Sequence, residues 1–406
     1  MADEHIKDGG MDPAEAALRA ELTEKEEARN EQQASASEEG DSGKHRRRHH
    51  HHHHHHSGKR RRKHRHSKRM KRVKKILLII LVLLVTAALV AGASLFAMYY
   101  QGKEQVTEKN VNIRAPENVV VGQKGQYVVY NNERYNYNND IITILFLGID
   151  RVDSTTKSEV YITNYMSDVI SLFVINKKTG VIDIINVPRD IITDVGVYSP
   201  DGGYVGLEKQ AIAAAFAYGD GEKKSCMNST DAVSRLFYNI PIKTYVSLNL
   251  DGFQDINDSV GGVDVVSPET ISFFTEGEEY HLDGVMAREF IQARAKDRPD
   301  ANLLRNKRQQ VYCNEFLKKM IARTKSDVSV PVNLFNASAP YSCTNLNAER
   351  ITYLATEYVV NRDMKFHYSS VPVDVKQVGD NAQNFVKEKE FYEMFLKVFY
   401  TKAEKN

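Results

Sequence analysis

The sequence predicts an α/β protein: a three-layer αβα domain built on a central mixed β-sheet, preceded by one transmembrane helix and a disordered N-terminal tail. Three observations predict it. An uncharged run of 23 residues, Ile76 to Met98, is long enough to span a bilayer as a helix. Three short apolar runs, IITILFL (141–147), VISLFVI (169–175) and VIDIINV (181–187), read as buried strands. Helical patterns then alternate with further strands, which favours helices flanking one sheet.

The segment ahead of the apolar run cannot bury a core. Residues 1–42 carry 13 acidic and 4 basic residues, and residues 43–75 carry 16 Lys or Arg and no acid. Such composition stays disordered. The eight histidines from His49 to His56 fit a low-complexity basic tail lying against anionic headgroups better than a metal buffer. A cleaved signal peptide competes with the anchor reading. However, a 75-residue leader is too long for a usual n-region, and the apolar run exceeds a usual h-region. All sixteen basic residues precede the helix, so the N-terminus is expected in the cytoplasm and residues 101–406 outside the cell membrane. That outer part holds 35 basic and 40 acidic residues, which excludes nucleic-acid binding by bulk charge. Its three cysteines, Cys226, Cys313 and Cys343, allow one disulfide and one free thiol, without saying which.

The elements follow in order. Residues 99–139 read as a juxtamembrane stalk leading into strands, and 140–406 as the folded domain. Strands 141–147, 169–175 and 181–187 come first, the last two joined by the turn Asn176–Gly180. An Ala-rich helix is expected over 208–218, and another over 230–238 with Ser229 as its cap. A strand over 243–250, a short helix over 251–260 ended by Gly261-Gly262, and a strand over 263–266 come next. Asp283 caps a helix running to about residue 293. A long helix covers 303–324, later helices cover 348–360 and 387–400, and a strand lies near 366–371.

The chemistry-bearing residues sit at the ends of these elements. Asp150 and Asp168 lie just off strand ends, where ligands gather in layered α/β folds. Either alone is more simply a turn residue. Arg189 leaves the third strand through Pro188, which fixes its direction, and Asp190 follows it. Arg305 and Arg308 share a helix face with Gln309, and Arg294 lies across a short loop. A helix start disfavours cations, because its dipole is positive there. Basic residues at that point ask for an anion, and guanidinium matches phosphate with a planar fork.

In this order the residues resemble the LytR-CpsA-Psr family of Gram-positive cell-envelope proteins. The segments that carry the resemblance are LFLGID (145–150), SDVISLFVINKKTG (167–180), INVPRD (185–190), AAFAYGD (214–220), NLDGFQDINDSVGGVDV (249–265), LDGVMAREFIQAR (282–294) and LLRNKRQQ (303–310). They span roughly 142–317, behind an anchor in the expected place. The resemblance implies a membrane-anchored phosphotransferase that moves a cell-wall glycopolymer from an undecaprenyl-pyrophosphate carrier onto peptidoglycan, with Mg²⁺ at the pyrophosphate and a hydrophobic pocket for the polyprenyl chain. By the same resemblance Asp150 and Asp168 hold the metal, and Asp168 alternatively activates the acceptor hydroxyl. Arg189, Arg294, Arg305, Arg308 and Gln309 grip the pyrophosphate, and Asp190 supports Arg189. Three positions depart from the family pattern: Met166 and Gln292 stand where arginines are usual, and Ala211-Ile212-Ala213 replaces a Lys-x-Asn, with Lys209 two residues away. They leave open a lipid-binding scaffold without turnover. A transcriptional attenuator is disfavoured, because no helix-turn-helix pattern is present.

Overall fold

The computed structural model describes residues 63–108, 111–149, 163, 165–294, 301–360, 364–378 and 381–403. The acidic and histidine-rich tail lies outside the described residues. In chain order the elements are helix α1 (Lys63–Val106), strands β1 (Val120–Gly122), β2 (Tyr127–Tyr130), β3 (Glu133–Tyr137), β4 (Ile141–Ile149), β5 (Ser167–Asn176), β6 (Val181–Asn186), β7 (Ile192–Tyr198) and β8 (Tyr204–Ala211). Helix α2 (Lys223–Leu236), β9 (Thr244–Asn249), α3 (Phe253–Ser259), β10 (Val263–Val266), β11 (Glu279–Leu282), α4 (Gly284–Gln292) and α5 (Ala301–Ser326) follow. The chain closes with α6 (Val330–Ser338), β12 (Ser342–Thr344), α7 (Ala348–Leu354), β13 (Lys365–Ser370), β14 (Val373–Val378), β15 (Asn381–Val386), α8 (Glu388–Phe399) and β16 (Tyr400–Lys402).

The central sheet has the order β12-β9-β4-β5-β6-β13. It is mixed: β4 runs parallel to β9 and β6 to β13, while the other neighbours are antiparallel. Strand alternation explains why its inner strands read as unbroken apolar runs. Leu145, Leu147, Ile170, Leu172, Val174 and Ile185 pack in one cluster with residues of α2 and α8. Their neighbours Ile142, Ile175, Ile182 and Ile184 join a second cluster with Tyr353 of α7, and Leu317 of α5 packs against it. With both faces covered, apolar residues face both layers, and polar ones such as Thr143, Ser171 and Asp183 are few. A third cluster holds α4 and α5 against the β10–β11 hairpin through Val263, Leu282, Phe290 and Tyr312.

Helix α1 contains a stretch long and apolar enough to cross a membrane. It begins at Lys63, inside the basic block, rather than at Ile76, since a formed helix gains one hydrogen bond for each residue added to its end. It also runs past Met98 and seats its last turns on the domain. Tyr99 donates to Glu357 (2.9 Å) and meets the ring of Tyr353 edge-on. Gln105 accepts from both Asn347 (2.9 Å) and Arg350 (3.1 Å), and Val106 is buried. A Cβ on Gly102 would run into the Glu349 carbonyl, so only glycine permits this approach.

The stalk expected over 99–139 is instead largely folded. Strands β1, β2 and β3 form an antiparallel sheet with the C-terminal strand β16. Val128 and Tyr137 are buried there, and the rings of Tyr130 and Tyr392 pack edge to face. The Tyr- and Asn-rich sequence around these strands obscured them, because polar Glu133, Arg134 and Asn136 break the apolar pattern of β3.

Two helix expectations are corrected. Residues 208–211 belong to β8, paired with β7, and only Ile212–Phe216 turn as a 3₁₀ helix. Ser229 does not cap α2 but lies inside it, donating back to the Ser225 carbonyl (3.0 Å). The helix starts six residues earlier than Ser229, where Asp220 accepts from the N–H groups of Glu222 (3.0 Å) and Lys224 (2.9 Å). Asp283 does cap α4, accepting from Met286 N–H (2.9 Å).

Candidate active site

The strand directions place one end of the sheet as the site. β4, β6, β9 and β13 all finish there, and antiparallel β5 begins there. Ile149 pairs with Ser167 across a register shift at Gly148, so the chain bends where β4 ends. Ser167 is fully buried, and its hydroxyl has no hydrogen-bond partner among the described residues. Asp168 is the second residue of β5, inside the strand rather than beyond its end. Asp150, expected beside it, lies outside the described residues.

Arg189 leaves β6 through Val187, whose N–H bonds the Ile170 carbonyl of β5 (2.9 Å), and through Pro188. The Arg189 carbonyl accepts from Ala213 N–H (3.1 Å), which fixes the backbone below the side chain. The guanidinium pairs with Asp168 and reaches Asp190 at 3.5 Å. Both Arg189 and Asp168 are more than a third exposed. Such an exposed pair is worth about 0–1 kcal/mol, so a stronger anion exchanges for the carboxylate at little cost.

A second group forms where the end of α4 meets the start of α5. Here the structure corrects one expected ligand, Arg308. Arg308 is 1% exposed. Its Nε donates to the Phe290 carbonyl (2.7 Å), and its other nitrogens bond the Ala293 carbonyl and the buried carboxylate of Glu269. Gln309 donates to the Ile291 carbonyl (3.2 Å). Both side chains thus satisfy carbonyls that α4 leaves open at its end, where cations are also favoured by the helix dipole. Arg308 has no surface left for a ligand, so it positions the junction, while Gln309 stays partly exposed beside it.

Arg294 and Arg305 remain. Arg294 is exposed, one residue beyond the carbonyl that Arg308 holds. Arg305 is half-buried, and its Nε is buried with no hydrogen-bond partner among the described residues. Burial and the like charges of Arg294 and Arg308 lower its pKa. A guanidinium under that strain is stabilised by a bound anion. Glu269, which sequence reading missed, compensates the buried Arg308. Its partner is 39 residues away, so no local pattern could have signalled it.

The departures from the family pattern also have places. Met166 is 43% exposed just ahead of β5, and Gln292 accepts from Arg288 within α4 (3.2 Å). Lys209 does not come round on a shifted loop. It sits on β8 and pairs across the hairpin with Asp194 (3.0 Å).

Among the described residues, no group of three or more His, Cys, Asp or Glu is arranged to hold a metal. Asp168 and Asp190 nevertheless offer two exposed hard-oxygen donors on either side of Arg189. Magnesium keeps several waters and takes one or two carboxylates plus substrate phosphate, so this donor set fits it. A cleft lined by Glu108, Tyr137, Ile141 and Lys243 lies at the starts of β4 and β9, the opposite end of the sheet.

The family described as LytR_cpsA_psr matches residues 96–398. A polyisoprenyl-teichoic acid–peptidoglycan teichoic acid transferase TagU of Bacillus cereus (strain AH820) is 29% identical over 185 residues, 44% of this chain and 52% of that protein. The protein of the same description from Oceanobacillus iheyensis is 28% identical over 228 residues, 55% of this chain and 65% of that protein. The chain thus spans about half to two thirds of the length of these curated relatives. Two solved structures share the fold. One is a protein of Streptococcus agalactiae, 19% identical with a TM-score of 0.51; the other, from Enterococcus faecalis and described as a transcriptional regulator, is 21% identical with a TM-score of 0.50. Each alignment covers 64% of this chain and 86% of the other.

Proposed function

Because the chain belongs to the LytR_cpsA_psr family, we propose that it transfers a cell-wall glycopolymer from a polyisoprenyl-pyrophosphate carrier to peptidoglycan. The reaction would be a phosphotransfer: an acceptor hydroxyl attacks the sugar-linked phosphorus, and the pyrophosphate P–O bond breaks to release polyisoprenyl phosphate. The observation that carries this reading is Arg305, a guanidinium whose buried Nε has no hydrogen-bond partner among the described residues and which lies beside two further arginines. The names of the B. cereus and O. iheyensis relatives supply the chemical class of donor and acceptor.

On this reading α1 is a single-pass anchor, with the N-terminus in the cytoplasm and the domain outside, where carrier and peptidoglycan meet. The tail basic block sets that orientation. Arg189, Arg294 and Arg305 bind the pyrophosphate and neutralise the charge that develops on the leaving phosphate. Asp168, released from Arg189 when phosphate takes its place, accepts the acceptor proton or lends an oxygen to Mg²⁺ together with Asp150 or Asp190. Bound Mg²⁺ would supply further charge neutralisation at the phosphates. Met166 at the rim, where a cation is usual, is the observation that favours a binding module without turnover.

The test uses the full chain in lipid nanodiscs, a polyisoprenyl-pyrophosphate donor with a radiolabelled glycan, and peptidoglycan as acceptor. Label is expected to enter peptidoglycan with release of polyisoprenyl phosphate, and Asp168→Asn is expected to lower that rate at least about a hundredfold. Donor binding without release would establish the binding module instead. Full activity in Asp168→Asn would remove that residue from the chemistry.

A further inference from the structure

Cys226 and Cys343 come from distant parts of the chain, 117 residues apart. Helix α2 carries the first and edge strand β12 the second, and these two elements pack together. Cys343 pairs in register with Ser247 of β9, which hydrogen-bonds the Cys226 thiol from the other side. The Cys226 sulfur lies 4.0 Å from the Cys343 carbonyl, and each thiol is the first influence on the acidity of the other. Cys313 stands apart on α5, beside Tyr368 of β13. Both partners are reduced in the structure.

We propose that Cys226 and Cys343 are a disulfide in the protein on the cell surface, tying the short edge strand β12 to α2, with Cys313 left as a free thiol. The inference rests on the outer location proposed above, since thiols this close persist reduced only in a reducing compartment.

The asymmetry of the pair sets the order of steps. Cys226 is fully buried, whereas Cys343 is partly exposed. Cys226 lowers the pKa of Cys343, and Cys343 raises that of Cys226. Cys343 is therefore the thiolate that attacks first. It displaces one thiolate from an external disulfide, either a thiol–disulfide oxidoreductase or a small-molecule disulfide. Cys226 then loses its proton and attacks the Cys343 sulfur, expelling the second thiolate. The external disulfide is reduced to two thiols, and the protein gains one S–S bond. Lysine and acid neighbours sit at the start of α2, where Asp220, Glu222 and Lys223 face Cys343.

The test is thiol counting on the full chain isolated from membranes, alkylated under denaturing conditions. One labelled cysteine, Cys313, is expected without reductant, and three after reduction, with peptide mapping placing the cross-link between residues 226 and 343. Cys226→Ser and Cys343→Ser should each label two thiols without reductant. Closing a loop of this length is expected to raise Tm by about 10 °C, a gain that reductant abolishes in the wild type and that Cys343→Ser lacks with or without reductant. Three labelled thiols, or a cross-link through Cys313, would overturn the proposal. In the first case, treatment with oxidised glutathione separates the causes. A 226–343 bond formed then means that the outer location failed, and none formed means that the pairing failed.

Discussion

Replacing Arg189 with alanine is expected to lower glycan transfer by about a thousandfold, the scale of losing one preorganised cation at a phosphoryl centre. The fold should survive. The Arg189 side chain is 42% exposed and its ion pairs among the described residues are to exposed carboxylates, so Tm should move by no more than a degree or two. Arg189→Lys is the more discriminating variant. Lysine keeps the charge but not the planar two-pronged donor, so donor binding should fall modestly while turnover falls much further. Binding is read by retention of labelled donor in nanodiscs, and turnover by release of polyisoprenyl phosphate. Wild-type turnover in Arg189→Ala would show that the ion pair with Asp168 is only a surface contact.

Much of this site was legible before any coordinates. Asp168 and Arg189 lie at strand boundaries that the apolar runs mark, and a sheet whose strands end together brings such boundaries to one edge. The long helix α5 and the cap at Asp283 were readable for similar local reasons. What could not be read was how each arginine spends its donors. Arg305 and Arg308 are three residues apart on one face and look equivalent in the sequence. One keeps a buried Nε with no hydrogen-bond partner among the described residues, and the other is driven inward onto Glu269 and the carbonyls of α4. That difference depends on contacts 15 to 39 residues away. The strands β1 to β3 were obscured for a related reason. Their partner β16 lies at the far C-terminus, and only that pairing makes Tyr137 a core residue.

Arg308 is therefore expected to fail as a folding variant before it fails as a binding one. Arg308→Met removes the cation that pairs with Glu269, whose carboxylate is buried at 4% exposure. It also strips donors from the Phe290 and Ala293 carbonyls. Breaking one side of a buried ion pair costs about 3–5 kcal/mol, because the remaining buried charge loses its main compensation. Tm should fall by about 10 °C or more on that basis. The double variant Arg308→Met with Glu269→Leu removes the stranded charge, and should recover a large part of the loss. It should not recover donor binding fully, because Arg294 and Arg305 depend on the junction that Arg308 holds. Thermal unfolding and donor retention measured on the same three proteins decide the matter. An Arg308→Met protein with unchanged Tm and lost donor binding would return Arg308 to the pyrophosphate.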